Sequence, residues 1–386
     1  MYICLYNYLS YLYSMDFLNK KIDSKEVLWF KKSNKYLVFE TPFYEIFKKF
    51  SNDRINKVEK YLLEKTSLSS HEILKLYHSY IDIKEEVSVS NKITNQDEEV
   101  PKIHDWFDIK IYLIYGICVE IRYSSNYLFE LIHPKFSHLC VITFHPKKEV
   151  IEVIEHGNNL CLRQNKKVVQ VNTKADLHFF LGKFSMLLLN IAHRKTDLNW
   201  MTVLHASAVQ KNNKSLIFLG NSGSGKSSAT TVLNLNGYEL LADDFVPVEA
   251  ASNLVYSFPA AISVKEQLID SLQIFYPQLS KTKLRAKNKN TSFKYLYLSN
   301  SNLQPKFLLA KALIFIKYKD KAALKCKKIK ASLALEYLIP DSWISTDEIN
   351  VKMFLDWIEQ IPSYQLEYSN PRDLIEVSRK IMEDEL

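Results

Sequence analysis

The sequence predicts a mixed α/β (α+β) fold, and three observations carry that prediction. β-type apolar runs such as "IKIYLIYGICVEIRY", "LCVITFH" and "VVQV" crowd residues 106–171. Helical spacing of apolar residues recurs, at Phe43, Ile46, Phe47 and Phe50 and again over 176–194. Lastly, "GNSGSGKSS", 220–228, holds three of the seven glycines in 386 residues, between a β-type run and a helical one.

The N-terminal stretch "MYICLYNYLSYLYSMDFLNKK" is apolar, yet it lacks a basic n-region and a small-residue cleavage site. It is also too short and too tyrosine-rich for a membrane span. Residues 1–24 are read as an N-terminal extension, with Met1 and Met15 both open as starts. Residues 27–39, "VLWFKKSNKYLVF", predict two short strands around a Lys-Lys-Ser-Asn turn. From Pro42 to Tyr80 the pattern is helical, and "SSHEILKLYHSYI" starts a helix with serines ahead of Glu72. Together 25–83 form a small β/α module. The polar stretch "KEEVSVSNKITNQDEEVPK" lacks aromatics and ends near Pro101, which marks 84–104 as a linker. A larger domain, 105–386, follows. In it "DLHFFLGKFSMLLLNIAHR" is a helix apolar enough to be buried, and "MTVLHASAVQ" and "SLIFLG" are strands joined by a turn at Lys211–Lys214.

Hydrophobic residues at 47% and aromatics at 13% supply ample core, and 24% charged residues exclude global disorder. The net charge of +8 comes from lysines and arginines interleaved with Asp, Glu and Asn along the chain. That spread is what codon bias produces, and no nucleic-acid or membrane partner is expected from it. Five scattered cysteines without a CxxC pair indicate neither a disulfide framework nor a zinc site. The expected setting is a reducing cytoplasm.

The match to G-x-x-x-x-G-K-[ST] is complete at Gly220, Gly225, Lys226 and Ser227. The candidate phosphate-binding positions run from Gly220 through Asn221, Ser222, Gly223, Ser224, Gly225, Lys226 and Ser227 to Ser228. Glycines let such a loop bend so that successive N–H groups face phosphate oxygens at the positive end of the next helix. Lys226 adds a mobile charge for the β- and γ-phosphates, and the Ser227 hydroxyl is a candidate Mg²⁺ ligand. "SLIFL" before the loop is a strand; "KSSATTVLNLN" after it is a helix, with Gly237 as its stop.

Two neighbours make this a candidate active site. The run "YELLADDFVPV" is a strand ending at Asp243 and Asp244, and a strand–loop–helix–strand unit makes its two strands parallel. Both then present C-terminal ends to one crevice. One carboxylate can hold Mg²⁺ while the other, facing the opposite way on extended backbone, takes a proton from a hydroxyl. Upstream, pairing across the 211–214 turn sets Gln210 opposite Ser215 and His205 opposite Gly220.

The segments "LHASAV", "GNSGSGKSS" and "LLADD", in that order, resemble the catalytic domain of HPr kinase/phosphorylase and its HPr-kinase-like relatives. "SFPAAISVK" and "IPSYQLEY" extend the resemblance over roughly 105–386, and it is strongest over 203–265. It implies a P-loop kinase core related to the nucleotide domain of ATP-dependent phosphoenolpyruvate carboxykinase. It further implies ATP and Mg²⁺ as cofactors, with Asp243 as general base toward a serine hydroxyl. Asp244 then assists with metal or phosphate beside Ser227, and His205 and Lys226 support catalysis. No counterpart of the Glu-Ile-Arg-Gly-Leu-Gly signature follows the aspartates, so phosphorylase activity and HPr itself are not implied. The divergent branch that phosphorylates peptide natural-product precursors is the nearer likeness. Residues 25–83 weakly resemble PqqD-like winged-helix domains, which capture leader peptides by strand addition.

The expected function is an ATP- and Mg²⁺-dependent serine kinase acting on a peptide or small protein. A kinase of a small metabolite such as free serine, and a non-catalytic ATP-binding sensor or assembly module, stay open. So does the oligomeric state. Lys265 is either a second phosphate contact or an exposed strand-end lysine. Arg285, in the basic run 281–294, is either a phosphoryl clamp or part of a solvated loop.

Overall fold

The computed structural model describes residues 16–88, 103–142, 148–288, 291–298 and 304–386, which fold as a mixed α/β chain in two units. The first unit takes in the described residues up to Ser88, with Lys330–Ile339 and Thr346–Glu359. It opens on β1 (Phe17–Ile22), β2 (Lys25–Phe30) and β3 (Lys35–Glu40), an antiparallel sheet in that order. The β2–β3 turn falls on the predicted Lys-Lys-Ser-Asn, with Asn34 at φ 52°. β1 corrects the reading of 1–24 as an extension. Its sequence, FLNKKI, is half lysine and asparagine and shows little by itself, yet it pairs along its whole length with β2, from Phe17↔Phe30 to Ile22↔Lys25.

Three helices follow: α1 (Thr41–Asn52), α2 (Ile55–Lys65) and α3 (Ser70–Ser88). Their apolar faces enclose Tyr44, Phe47, Phe50, Val58, Leu62 and Tyr80 against Leu28 and Phe30 of β2. Ser69 and Glu72 cap α3 reciprocally. The Ser69 N–H donates to the Glu72 carboxylate at 2.8 Å, and the Glu72 N–H donates to Ser69 Oγ at 3.4 Å. Residues 84–88, expected in the linker, continue α3. The rest of that linker up to residue 102, and residues 1–15 with both candidate starts, lie outside the described residues.

In the second unit, β4 (Asp108–Ile114) and β5 (Ile117–Tyr123) form a hairpin, followed by α4 (Asn126–Phe136). Strands β6 (Cys140–Val141), β7 (Glu149–His156), β8 (Asn159–Gln164) and β9 (Lys167–Thr173) complete a sheet ordered β6-β4-β5-β7-β8-β9. α5 (Leu177–His193) packs on β8 and β9. Among the described residues, Lys174–His193 is the one helical stretch long and apolar enough to cross a membrane. Here Phe180, Phe184, Leu188 and Leu189 of that stretch are buried in the unit's core.

The larger sheet starts with β10 (Trp200–Leu204), β11 (Ser207–Lys211) and β12 (Lys214–Leu219), then α6 (Lys226–Asn234) and β13 (Glu239–Asp243). β14 (Val246–Glu249), β15 (Leu254–Tyr256), β16 (Ile262–Lys265) and α7 (Glu266–Gln273) come next, ahead of the hairpin β17 (Arg285–Asn288) and β18 (Thr291–Leu296). β19 (Phe307–Tyr318) and β20 (Lys325–Ile329) lead to α8 (Ala331–Leu338), β21 (Ser342–Ile344), α9 (Glu348–Gln360), β22 (Ser363–Tyr368) and α10 (Pro371–Met382).

β19 organises this sheet. Its first residues pair antiparallel with β15, and its remainder pairs parallel with β12 on one side and β22 on the other. The run Ala312–Ile316 is buried on both faces, as a central parallel strand requires. α6 and α10 cover one face, packing Ala229, Leu233, Leu374 and Val377 against Phe218, Ile314 and Leu366.

Two expectations need correction. The larger domain is not one continuous 105–386 block, because α8 and nearly all of α9 fold with the first unit. Lys25 there pairs with Glu336 at 2.6 Å, Lys20 pairs with Asp356 and Glu359, and the Ser332 N–H donates to Asp23 at 2.8 Å. Nor is 201–210 one strand. The chain bends at His205-Ala206, and β10 leaves to pair with β14 and β21 while β11 pairs with β12 and β13.

Candidate active site

Gln210 does face Ser215 in the β11–β12 ladder, as the turn predicts. That ladder ends at Ser207↔Phe218, so His205 is not strand-paired with Gly220. β11 also pairs with β13, with Ser207 opposite Asp243. Since β11 is antiparallel to both neighbours, β12 and β13 run parallel as expected, with β11 between them. Their C-terminal ends share one edge, and the glycine-rich loop and the two aspartates meet there.

The loop is built on backbone that only glycine adopts freely. Gly220, Gly223 and Gly225 have φ of 141°, 91° and 103°. A Cβ on Gly220 would stand 2.7 Å from the Ile316 carbonyl oxygen and 2.7 Å from Ser224 Oγ. One on Gly225 would touch Tyr318 Cβ at 3.4 Å. The Tyr318 N–H donates to the Ser224 carbonyl at 3.0 Å, which ties the loop to the end of β19. Lys226 Nζ donates back to the Gly220 carbonyl at 2.6 Å. Ser224 Oγ is buried without a hydrogen-bond partner, packed against the position a Gly220 Cβ would take. Gly237, φ 81°, follows α6 as the helix stop.

Asp243 is 1% exposed. It accepts hydrogen bonds from Ser207 Oγ and, at 3.1 Å, from Ser227 Oγ. Burial, with Asp244 beside it, raises its pKa to about 6. Asp244 is turned out of the strand at φ 66°, in the left-handed region that aspartate tolerates. The extended backbone expected for the pair therefore ends at Asp243. The Asp244 carboxylate accepts from Lys135 Nζ of α4 at 3.3 Å, and this cation holds it below the usual carboxylate range. Burial works against the Lys135 ammonium, yet Asp244 keeps it above its ordinary value. Burial and the charge of Lys226 push His205 below its ordinary range, against the opposing pull of Asp244.

These groups line one cleft of about 750 Å³: His205, Ser222, Gly223, Gly225, Lys226, Ser227, Ser228, Asp244 and Lys265 are all on its wall. Asp243 is not; it lies sealed behind Ser227 and Ser207. Gly220, Asn221 and Ser224 belong to the loop without lining the cleft. Lys265, exposed at the end of β16, reaches over the loop, with Nζ 3.3 Å from where a Gly223 Cβ would be. Arg285 does not line the cleft. Its guanidinium is bound to Glu130 of α4 at 2.7 Å, which accounts for it as an anchor of the β17–β18 hairpin.

Among the described residues no three His, Cys, Asp or Glu side chains gather into a metal cluster. The hard oxygen donors brought together at the loop are Ser227 and Asp243, not the expected Ser227 and Asp244. Both are of the hard oxygen kind that Mg²⁺ takes, Ser227 on the cleft wall and Asp243 buried behind it.

Sequence reasoning missed Lys135, Ser207, Tyr318 and Tyr368. Ser207 stands inside "LHASAV", and its register with Asp243 carries it to the site. Tyr368 closes "IPSYQLEY" and packs edge-on to Tyr318, ring centroids 5.8 Å apart, on the cleft wall. Lys135 has no local signal. Comparison of the chain with protein-family models finds no match, and comparison with curated proteins finds none either.

Proposed function

We propose that the chain is an ATP- and Mg²⁺-dependent kinase of the HPr-kinase-like type, with a P-loop kinase core, that phosphorylates a serine hydroxyl on a peptide or small protein. The observation that carries this reading is the joint one: a glycine-built loop leading into Lys226 and Ser227, opening on the same cleft as a carboxylate that a lysine holds below the usual carboxylate range. Simple nucleotide binding needs no such carboxylate.

The geometry favours dividing the two aspartates the other way from the family's implied roles. Asp243, buried on Ser227, orients that hydroxyl and is the carboxylate that would stand behind it were Mg²⁺ bound at Ser227. Bound there, Mg²⁺ would neutralise phosphate charge. Asp244 faces the cleft and takes the acceptor proton. As the serine Oγ bonds to the γ-phosphorus, its proton passes to Asp244, the β–γ bridging P–O bond breaks, and ADP carries away the electron pair. Lys226 exchanges its bond to the Gly220 carbonyl for phosphate oxygens, and His205 lines the same cleft. In the first unit, β1 and β3 are the sheet edges where a leader peptide would add a strand.

The test is transfer from γ-labelled ATP with Mg²⁺ to free serine, an HPr-type protein and serine peptides. Asp244→Asn is expected to lower transfer by roughly 10²–10⁴-fold while leaving ATP affinity near wild type. Tight ATP binding with no transfer to any acceptor would replace this reading with the sensor.

A further inference from the structure

Much of the cleft wall contributed by α4, α5 and β18 is apolar, with the Ser185 and Tyr295 hydroxyls set among it. Lys135 fixes α4 against Asp244, and Leu131, one helical turn earlier on the same face, lines the cleft with it. α5 contributes Leu181 and Phe184, and Phe184 meets Phe136 of α4 with ring centroids 6.1 Å apart. β18 adds Phe293, edge-on to Tyr295 at 5.1 Å. Leu131 and Leu181 are half-buried, so each keeps surface for a ligand.

The acidic and basic side chains on the cleft are Lys135, His205, Lys226, Asp244 and Lys265. Lys226 and Lys265 stand at the phosphate loop, and Lys135 is committed to Asp244. A free amino acid placed with its hydroxyl at Asp244 would bring an ammonium and a carboxylate against the apolar surface of Leu131 and Leu181, which desolvates both charges. A peptide serine carries no such charges, and its neighbour's side chain can fill the wall.

We propose that this wall is an acceptor subsite for a bulky apolar side chain adjacent to the phosphorylated serine, so that the acceptor is a serine within a peptide and not a free amino acid. The proposal rests on the kinase reading above and names the acceptor for it.

The experiment uses the full chain, Mg²⁺ and γ-labelled ATP. Acceptors are peptides with serine flanked by Leu, by Gly or by Asp, together with free serine. Fluorescein-labelled versions with alanine for the serine report binding by anisotropy without nucleotide. The Leu-flanked peptide should exceed the Gly-flanked one by at least about tenfold in kcat/KM, and free serine by more. Its alanine version should bind correspondingly tighter. Leu131→Ser and Leu181→Ser should each collapse that preference, with the affinity for a fluorescent ATP analogue retained as proof of folding.

Transfer that ignores the flanking residue, or favours free serine, would overturn the subsite and leave the kinase standing. Tight binding of the Leu-flanked alanine peptide without transfer to any acceptor would uphold the subsite and overturn the kinase. Neither binding nor transfer would overturn both.

Discussion

Two residues of the loop region show how structure and chemistry trade against each other. Asp243 is ionised at neutral pH in a place that disfavours the charge, since burial raises its pKa from 3.8 to about 6. The folded chain therefore holds that proton more tightly than the unfolded chain. The associated stability is fully present below pH 3.8 and is lost as pH rises through 6, in total about 3 kcal/mol. Asp243→Asn keeps the neighbours and removes the charge. It should stabilise the metal-free protein at pH 8 by about 1–3 kcal/mol, measured by denaturant unfolding in chelator, and the advantage should shrink toward pH 5. A variant less stable than wild type at pH 8 would show that the Ser207 and Ser227 bonds outweigh burial. Gly220 makes the opposite case. Alanine there needs φ 141° and places a methyl 2.7 Å from a backbone oxygen, so Gly220→Ala should cost at least about 2 kcal/mol and abolish ATP-analogue binding.

At the scale of elements, local signals performed well where the partner was close in sequence. α3 starts where Ser69 and Glu72 predicted, and Ser69→Ala should lower the first unit's stability by about 1 kcal/mol, read as faster hydrogen exchange in the first turn of α3. The β11–β12 turn, the buried α5 and the helix stop at Gly237 were equally legible. β10 and β11 were not. Their joint run "MTVLHASAVQ" reads as one continuous strand, and the bend at His205-Ala206 arises because each half has different neighbours: β14 and β21 for one, β12 and β13 for the other. The β17–β18 hairpin is likewise set by a distant partner, Glu130. Arg285→Ala should loosen that hairpin, seen as increased exchange over 285–296, with a smaller effect on nucleotide affinity.

For the whole molecule, the main finding is that the first unit is discontinuous. Helices α8 and α9 arrive from more than 300 residues along the chain and fold with the N-terminal sheet. A fragment 103–386 keeps every residue of the cleft but strips those helices of Asp23, Lys20 and Lys25. Exchange over 331–359 should therefore rise sharply in the fragment relative to the full chain. Equal protection in both would mean that α8 and α9 need nothing from the N-terminal residues.

The sequence by itself determined the glycine-built loop, the helix after it, the parallel sense of β12 and β13, and the mixed α/β class. Each rests on interactions within a few tens of residues: positive φ at glycine, apolar periodicity, a short crossover. Only the tertiary structure decided which aspartate faces the cleft. Asp244 turns out of its strand to meet Lys135, 109 residues away, while Asp243 stays sealed on Ser207 and Ser227. Adjacent identical side chains carry no local difference, so a buried hydrogen bond on one side and a distant cation on the other had to distinguish them.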